Sequence, residues 1–169
     1  INQNGTIKKM PVEKVAKGIN GVIPTVINFN GEGTGLSKDE IALIIAVSAD
    51  SKWDVRKNGD NYFHFGLKKQ RKIQRLKELL ERLNIQYTSF EKEYGYTTFN
   101  FISSTIKKGL PKEWVYKMNL EERKFFIEEL KNWDGNEVKG KNQYEFSSKL
   151  LEENEIVQAI AHTCGYMST

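Results

Sequence analysis

The sequence predicts an α+β fold in which one unit, helix, hairpin, helix, hairpin, is used twice and the second copy is truncated. Three observations carry the prediction. Two helical segments end on an acidic residue, at Asp50 and at Asp134. Each is followed by strand-like alternation and then by a second helix with an apolar stripe. The stripes of those second helices superpose at a fixed offset along the chain.

Residues 1–36 hold six glycines around the apolar piece GVIPTVINF, the composition of an arm with one strand. Regular architecture is expected from Ser37. Ser37 and Glu40 have the spacing of a capping box, and IALIIAVSA after them is apolar on every face, as for a helix buried on all sides. Past Asp50 the period changes to two. Trp53 and Val55 alternate with Lys52, Asp54 and Arg56, an Asn58-Gly59 turn follows, and NYFHF returns as the second strand. The segment from Lys68 places Ile73, Leu76, Leu79, Leu80 and Leu83 on one stripe, with Lys and Arg on the solvated outer face. A second hairpin is expected from about Tyr87 to Phe101, turning near Tyr94-Gly95, with Phe99 and Phe101 on its core face. A loop and a short helix around Pro111 lead to Asn119.

There the plan restarts. Asn119 caps, Glu122 sits three residues on, and EERKFFIEELKNW is expected to run as a helix into Asp134-Gly135. Asp50 and Asp134 are 84 positions apart, and beyond the shorter second hairpin an offset of 81 places Phe65 on Phe146 and Lys68 on Lys149. It also sets Leu76 on Val157, Leu79 on Ile160, Leu80 on Ala161 and Leu83 on Cys164. The expected organisation is an arm over 1–36, a first repeat over 37–118 and an incomplete second repeat over 119–169.

Composition narrows the function classes. The 169 residues are 38% apolar, enough for a core, and Lys and Arg exceed Asp and Glu by 26 to 22, which suits a polyanionic partner. One cysteine forms no internal disulfide, so a cytoplasmic setting is expected. The longest apolar run, Ile41 to Val47, is too short to span a bilayer, so no membrane partner is expected. His162 and Cys164 are too few for zinc, and Cys164 falls on a core position. Phe99, Phe101 and Phe146 lie on apolar faces and suit a core better than a base-stacking platform. The absence of an initial methionine suggests part of something longer.

The two nonapeptides LIIAVSADS (Leu43 to Ser51) and IEELKNWDG (Ile127 to Gly135), set at a repeat spacing and each followed by a hairpin, resemble the motifs of the LAGLIDADG homing endonuclease family. The resemblance covers roughly residues 37–169. It implies a pseudo-twofold protein of two α-β-β-α-β-β units with paired motif helices and saddle-like antiparallel sheets in the DNA major groove. It further implies Asp50 and Asp134 as catalytic metal-binding carboxylates, Mg²⁺ or another divalent cation as cofactor, and double-stranded DNA as partner. Two carboxylates brought together repel unless a cation lies between them, and hard cations held by oxygen neutralise charge on the phosphodiester and activate water. The family also places a basic residue shortly before the next motif helix, a position held here by Lys107 and Lys108. Ile45 and Glu129 stand where the family prefers a small residue, so bulk is expected to push the two helices apart. Glu128 and Glu129 are adjacent acids in a helix expected to be buried.

If Trp53, Val55, Phe63 and Phe65 face the core, alternation puts Lys52, Asp54, Arg56, Tyr62 and His64 toward the groove, with Thr98 and Asn100 from the second hairpin. An ordinary solvated sheet face presents the same residue types. The expected function is a site-specific, Mg²⁺-dependent endodeoxyribonuclease of a mobile element, inside an intein, an intron-encoded protein or a phage gene, in a prokaryotic or phage-infected cell. The alternative is a non-catalytic nucleic-acid-binding module or structural remnant within a larger, viral or cellular, protein. In either case the remainder of a longer or split protein could supply the missing hairpin.

Overall fold

The computed structural model describes residues 29–92, 95–137 and 144–166. All of the expected arm strand except Phe29, and Tyr94 of the expected second turn, lie outside them. The architecture is mixed α+β with antiparallel sheets.

Helix α1, Lys38–Asp50, starts at the expected capping box: Ser37 Oγ accepts from the Glu40 amide at 3.2 Å, and the Glu40 carboxylate accepts from the Ser37 amide at 2.7 Å. Ile41, Ala42, Leu43, Ile45, Ala46 and Val47 are all buried, because helices and a sheet surround α1. Strands β1, Ser51–Val55, and β2, Asn61–Leu67, form the first hairpin. Its turn holds Gly59 at φ +88°, a left-handed conformation that glycine adopts without a Cβ clash. Helix α2, Gln70–Arg82, buries Leu76, Leu79 and Leu80. Strands β3, Tyr87–Lys92, and β4, Tyr96–Ser103, complete a four-stranded sheet in the order β1-β2-β4-β3, which puts the two apolar strands in the middle. Phe63, Phe65, Leu67, Phe99 and Phe101 line its covered face.

Trp53 and Val55 do not join the core as alternation predicts. Trp53 pairs with Phe63 across β1 and β2, so it shares the apolar face, yet Trp53 and Val55 are 48% and 49% exposed. Strand β1 is the sheet edge, with a neighbouring strand on one side alone, and facing inward there leaves these side chains half exposed. The Trp53 indole N–H donates to Asn61 Oδ1 at 2.8 Å.

A short helix α3, Trp114–Lys117, leads into α4, Leu120–Leu130, which opens on the Asn119–Glu122 capping box. Sequence periodicity extends this helix to Trp133, but it ends at Leu130. The next amides turn back three residues instead of four, with Asn132 N–H donating to Glu129 O and Trp133 N–H to Leu130 O. Asp134 therefore stands on a tight turn, whereas Asp50 is the last helical residue of α1. Gly135 is demanded at that turn: a Cβ there would sit 2.7 Å from the Lys131 Cα. Strands β5, Gly135–Glu137, and β6, Tyr144–Phe146, pair as a small second hairpin before α5, Leu151–Thr163. Val157, Ile160, Ala161 and Cys164 are buried, the positions that the offset of 81 assigns to the second stripe.

The end of the arm is sewn to this second unit. Phe29 N–H donates to Thr163 O at 2.8 Å, and the Glu122 carboxylate receives the Thr34 amide and hydroxyl. Arg123, fully buried, spends its guanidinium on Met118 O, Val115 O and Thr163 Oγ1, joining α4 to α3 and α5. Among the described residues no helix is long and apolar enough to cross a membrane.

Candidate active site

Helices α1 and α4 pack together and bring their acidic ends to one place. Lys72 measures how close. Its Nζ lies 2.5 Å from Asp50 Oδ2 and 3.8 Å from Asp134 Oδ1. The two oxygens are therefore at most 6.3 Å apart, the sum of those contacts, within the span that oxygen-ligated divalent cations bridge. Lys72 stands in the first turn of α2, 8% exposed, with its ammonium 5.9 Å from the centre of the Trp133 ring.

The fields in this pocket oppose one another. Burial raises the pKa of the Asp134 carboxyl, and the charge of Asp50 raises it further; Lys72, Glu153 and Lys108 follow, the two lysines pulling it back down. Lys108 is lowered by burial, against the pull of Glu153, Asp134 and Asp50. Its ammonium donates to Val47 O at 2.8 Å, Ser48 O at 2.7 Å and Ser51 O at 2.9 Å. Lys108 thus closes the carbonyl end of α1, where a cation also meets the helix dipole, and fixes the backbone that presents Asp50. Its neighbour Lys107 is exposed.

The helix pair tolerates bulk at the small-residue positions. Ile45 is 1% exposed and Glu129 3% exposed, and the carboxylates still share one ammonium. Glu129 turns to Arg75 of α2, which binds it through two nitrogens at 3.0 and 2.7 Å, while Trp133 Nε1 donates to Oε1 at 3.0 Å. Glu128, on the solvent side, pairs with Lys131. The two adjacent acids thus have separate environments, and the two helices remain in contact with Ile45 and Glu129 both buried.

The oxygen donors fit a hard divalent cation: two carboxylates already hold a positive group between them, leaving main-chain carbonyls, water and phosphate oxygens to complete the coordination. Among the described residues no three His, Cys, Asp or Glu side chains cluster tightly enough to hold an ion by themselves.

On the sheet's other face, Lys52, Asp54 and Arg56 are exposed, and Tyr62, His64 and Asn100 partly so. Register pairs Lys52 with His64, Asp54 with Tyr62 and His64 with Asn100, so they form one surface. Tyr62 Oη donates to Asn100 Oδ1 at 2.8 Å, His64 Nδ1 lies 2.7 Å from the same oxygen, and the Arg56 guanidinium sits 5.1 Å from the Tyr62 ring centre. Thr98 departs from expectation: it is 4% exposed and donates its hydroxyl to Phe90 O, so it braces β3 against β4 rather than offering a free contact. A pocket of about 290 Å³ lined by Lys52, His64, Gly66, Tyr96 and Thr98 runs from this face to Asp50.

Lys72, Arg75 and Glu153 escaped the sequence reading. Periodicity held a signal for the first: Lys72, Leu76, Leu79 and Leu83 follow helical spacing, so Lys72 prolongs the apolar stripe toward the carboxylates. No such signal marks Arg75, whose partner lies 54 residues away in the other unit.

No family model matches the chain. Its fold is similar to solved structures of the homing endonuclease I-DmoI. The complex of I-DmoI with DNA and Mn overlaps at a TM-score of 0.45 and 16% identity, covering 74% of this chain and 77% of that one. The complex with DNA and Ca overlaps at 0.45 and 15%, covering 75% and 72%. In sequence, the chain is 27% identical over 200 aligned positions to the ribonucleoside-diphosphate reductase subunit beta of Aquifex aeolicus (strain VF5). The match takes in 96% of this chain but spans only 29% of that relative.

Proposed function

We propose that the chain is a site-specific DNA endonuclease of the LAGLIDADG type, built of a first repeat over 37–118 and a second over 119–169, that hydrolyses phosphodiesters between Asp50 and Asp134. The observation that carries the reading is the single ammonium of Lys72 shared by both carboxylates across a repeat interface. Asp50 and Asp134 would hold Mg²⁺ or another divalent cation, which when bound supplies charge neutralisation at the phosphate and an acidified water. The chain's own part is to place the carboxylates, through the α1 and α4 ends, and to set a cationic charge beside the phosphate through Lys108 and Lys72. Lys107, exposed next to Lys108, is assigned to the backbone of the duplex. Lys52, Asp54, Arg56, Tyr62, His64 and Asn100 are assigned to the DNA groove, with Thr98 supporting the strands that carry them.

Similarity to under a third of a much longer reductase subunit supports the further reading that the nuclease is carried as an insert inside another protein, as an intein-borne enzyme would be. Mg²⁺- or Mn²⁺-dependent nicking of plasmid or library DNA is expected, falling to background in Asp50→Asn and in Asp134→Asn. One observation favours a second reading, a DNA-binding module without cleavage: Lys72 already compensates the Asp50 charge at 2.5 Å. DNA retention on a gel without nicking under any divalent ion selects that module.

A further inference from the structure

Glu153 is 7% exposed, and its Oε1 is buried without a hydrogen-bond partner among the described residues. Leaving a carboxylate oxygen so placed is costly unless something else answers it. Its other oxygen accepts from Ser148 Oγ at 2.6 Å, which fixes the orientation of the group. Its station along the chain matches that of Lys72. Glu153 lies 81 positions after Lys72, the same offset that superposes the two apolar stripes. Both are the third residue beyond an N-cap, Lys69 for α2 and Leu150 for α5. From that station Lys72 reaches the aspartate of its own unit. The charge of Glu153 in turn acts on Asp134 and on Lys108. A site whose backbone is twofold thus has a cation at one equivalent position and an anion at the other.

We propose that Glu153 is a positioning residue for the cation, drawing it through an intervening water to the Asp134 side, while Lys72 keeps the Asp50 side for the scissile phosphate. The contact is assigned to a water because, among the described residues, no three His, Cys, Asp or Glu side chains cluster closely enough to ligate an ion directly. This inference rests on the endonuclease reading, and it makes the two halves unequal in their treatment of the two DNA strands.

The test is a titration of the DNA-free chain with Tb³⁺, a hard oxygen-seeking probe, followed by luminescence excited through Trp133, whose ring lies 5.9 Å from Lys72 Nζ. Glu153→Gln keeps the shape and the Ser148 bond and is expected to weaken Tb³⁺ affinity by about tenfold, the scale of an outer-shell ligand partner. Glu153→Asp should recover part of that loss, and Lys72→Met should tighten binding several-fold by removing the competing ammonium. Unchanged affinity in Glu153→Gln, with Asp50→Asn and Asp134→Asn both weakened, overturns the role of Glu153 and leaves the endonuclease site standing. If neither aspartate variant changes the luminescence, the cation site itself falls. Should Glu153→Gln not fold, Ser148→Ala releases the carboxylate, and an unaltered Tb³⁺ affinity there overturns the proposal equally.

Discussion

Helices α1 and α4, which bring Asp50 and Asp134 together, pack against each other and are built from opposite chemistry. Helix α1 buries Ile41, Ala42, Leu43, Ile45, Ala46 and Val47, whereas α4 buries Arg123 and Glu129 beside Phe126 and Leu130. The contrast locates what holds α4 in place. An apolar helix needs only surface to cover it. A helix with buried charges needs named partners, and α4 draws one from each side: Arg75 of the first unit for Glu129, and α3 with α5 for Arg123. Helix α4 is therefore held by an ion pair to α2 on one side and by the hydrogen bonds of a buried guanidinium to α3 and α5 on the other.

The largest loss is expected on removing Arg75. Arg75→Ala strands Glu129 at 3% exposure without its counter-ion, and a loss of about 3–5 kcal/mol in urea unfolding is expected. Glu129→Ala should cost less, roughly 1–3 kcal/mol, because the Arg75 side chain is 22% exposed and can turn to water. Equal losses from the two variants would show that packing volume, rather than an uncompensated charge, holds α4 in place.

This asymmetry also explains how far the sequence could be followed. Alternation, capping boxes and apolar stripes are local signals, and they located α1, β1, β2, α2 and both starts of the motif helices within a residue or two. The expectation that the acidic ends of the two helices meet rested on the repeat offset, and in the structure both carboxylates lie within 3.8 Å of the Lys72 ammonium. Pairings set by distance along the chain left no local trace. Arg75 with Glu129 and Lys72 with both aspartates are examples, and the lysines and arginines of α2 accordingly read as one solvated face. Trp53 failed for a different reason. Alternation tells which face a residue takes, but whether that face is covered depends on where the sheet ends.

A smaller effect separates the two helix ends that carry the aspartates. α1 is closed from outside by the Lys108 ammonium, and the tight turn after α4 by its own backbone together with the Arg71 guanidinium, which donates to Lys131 O and Asn132 O. Lys108→Met takes a charged donor from three carbonyls at once and should cost about 2 kcal/mol, with faster hydrogen exchange at the Ser51 amide, which donates to Val47 O. Exchange at the Trp133 amide should be unaltered. Equal acceleration at both would mean that the two ends open together, and the units would then not be independent at the site.

The smallest expected differences lie at the opposite ends of the same helices. Both begin with a capping box, so Ser37→Ala and Asn119→Ala should each cost about 1 kcal/mol. Their third residues are not equivalent. Glu40 returns only to Ser37, through its amide and hydroxyl, on an exposed surface. Glu122 returns to the Asn119 amide and also receives the Thr34 amide and hydroxyl, at 3.0 and 2.8 Å, from a segment 88 residues earlier. Glu40→Ala should therefore resemble Ser37→Ala, while Glu122→Ala should exceed Asn119→Ala by roughly 1 kcal/mol, the net worth of a further charged hydrogen bond. It should also expose residues 29–36 to limited proteolysis, which Glu40→Ala should not. Matching losses for Glu40→Ala and Glu122→Ala would mean that the arm contributes nothing to the second unit beyond lying against it.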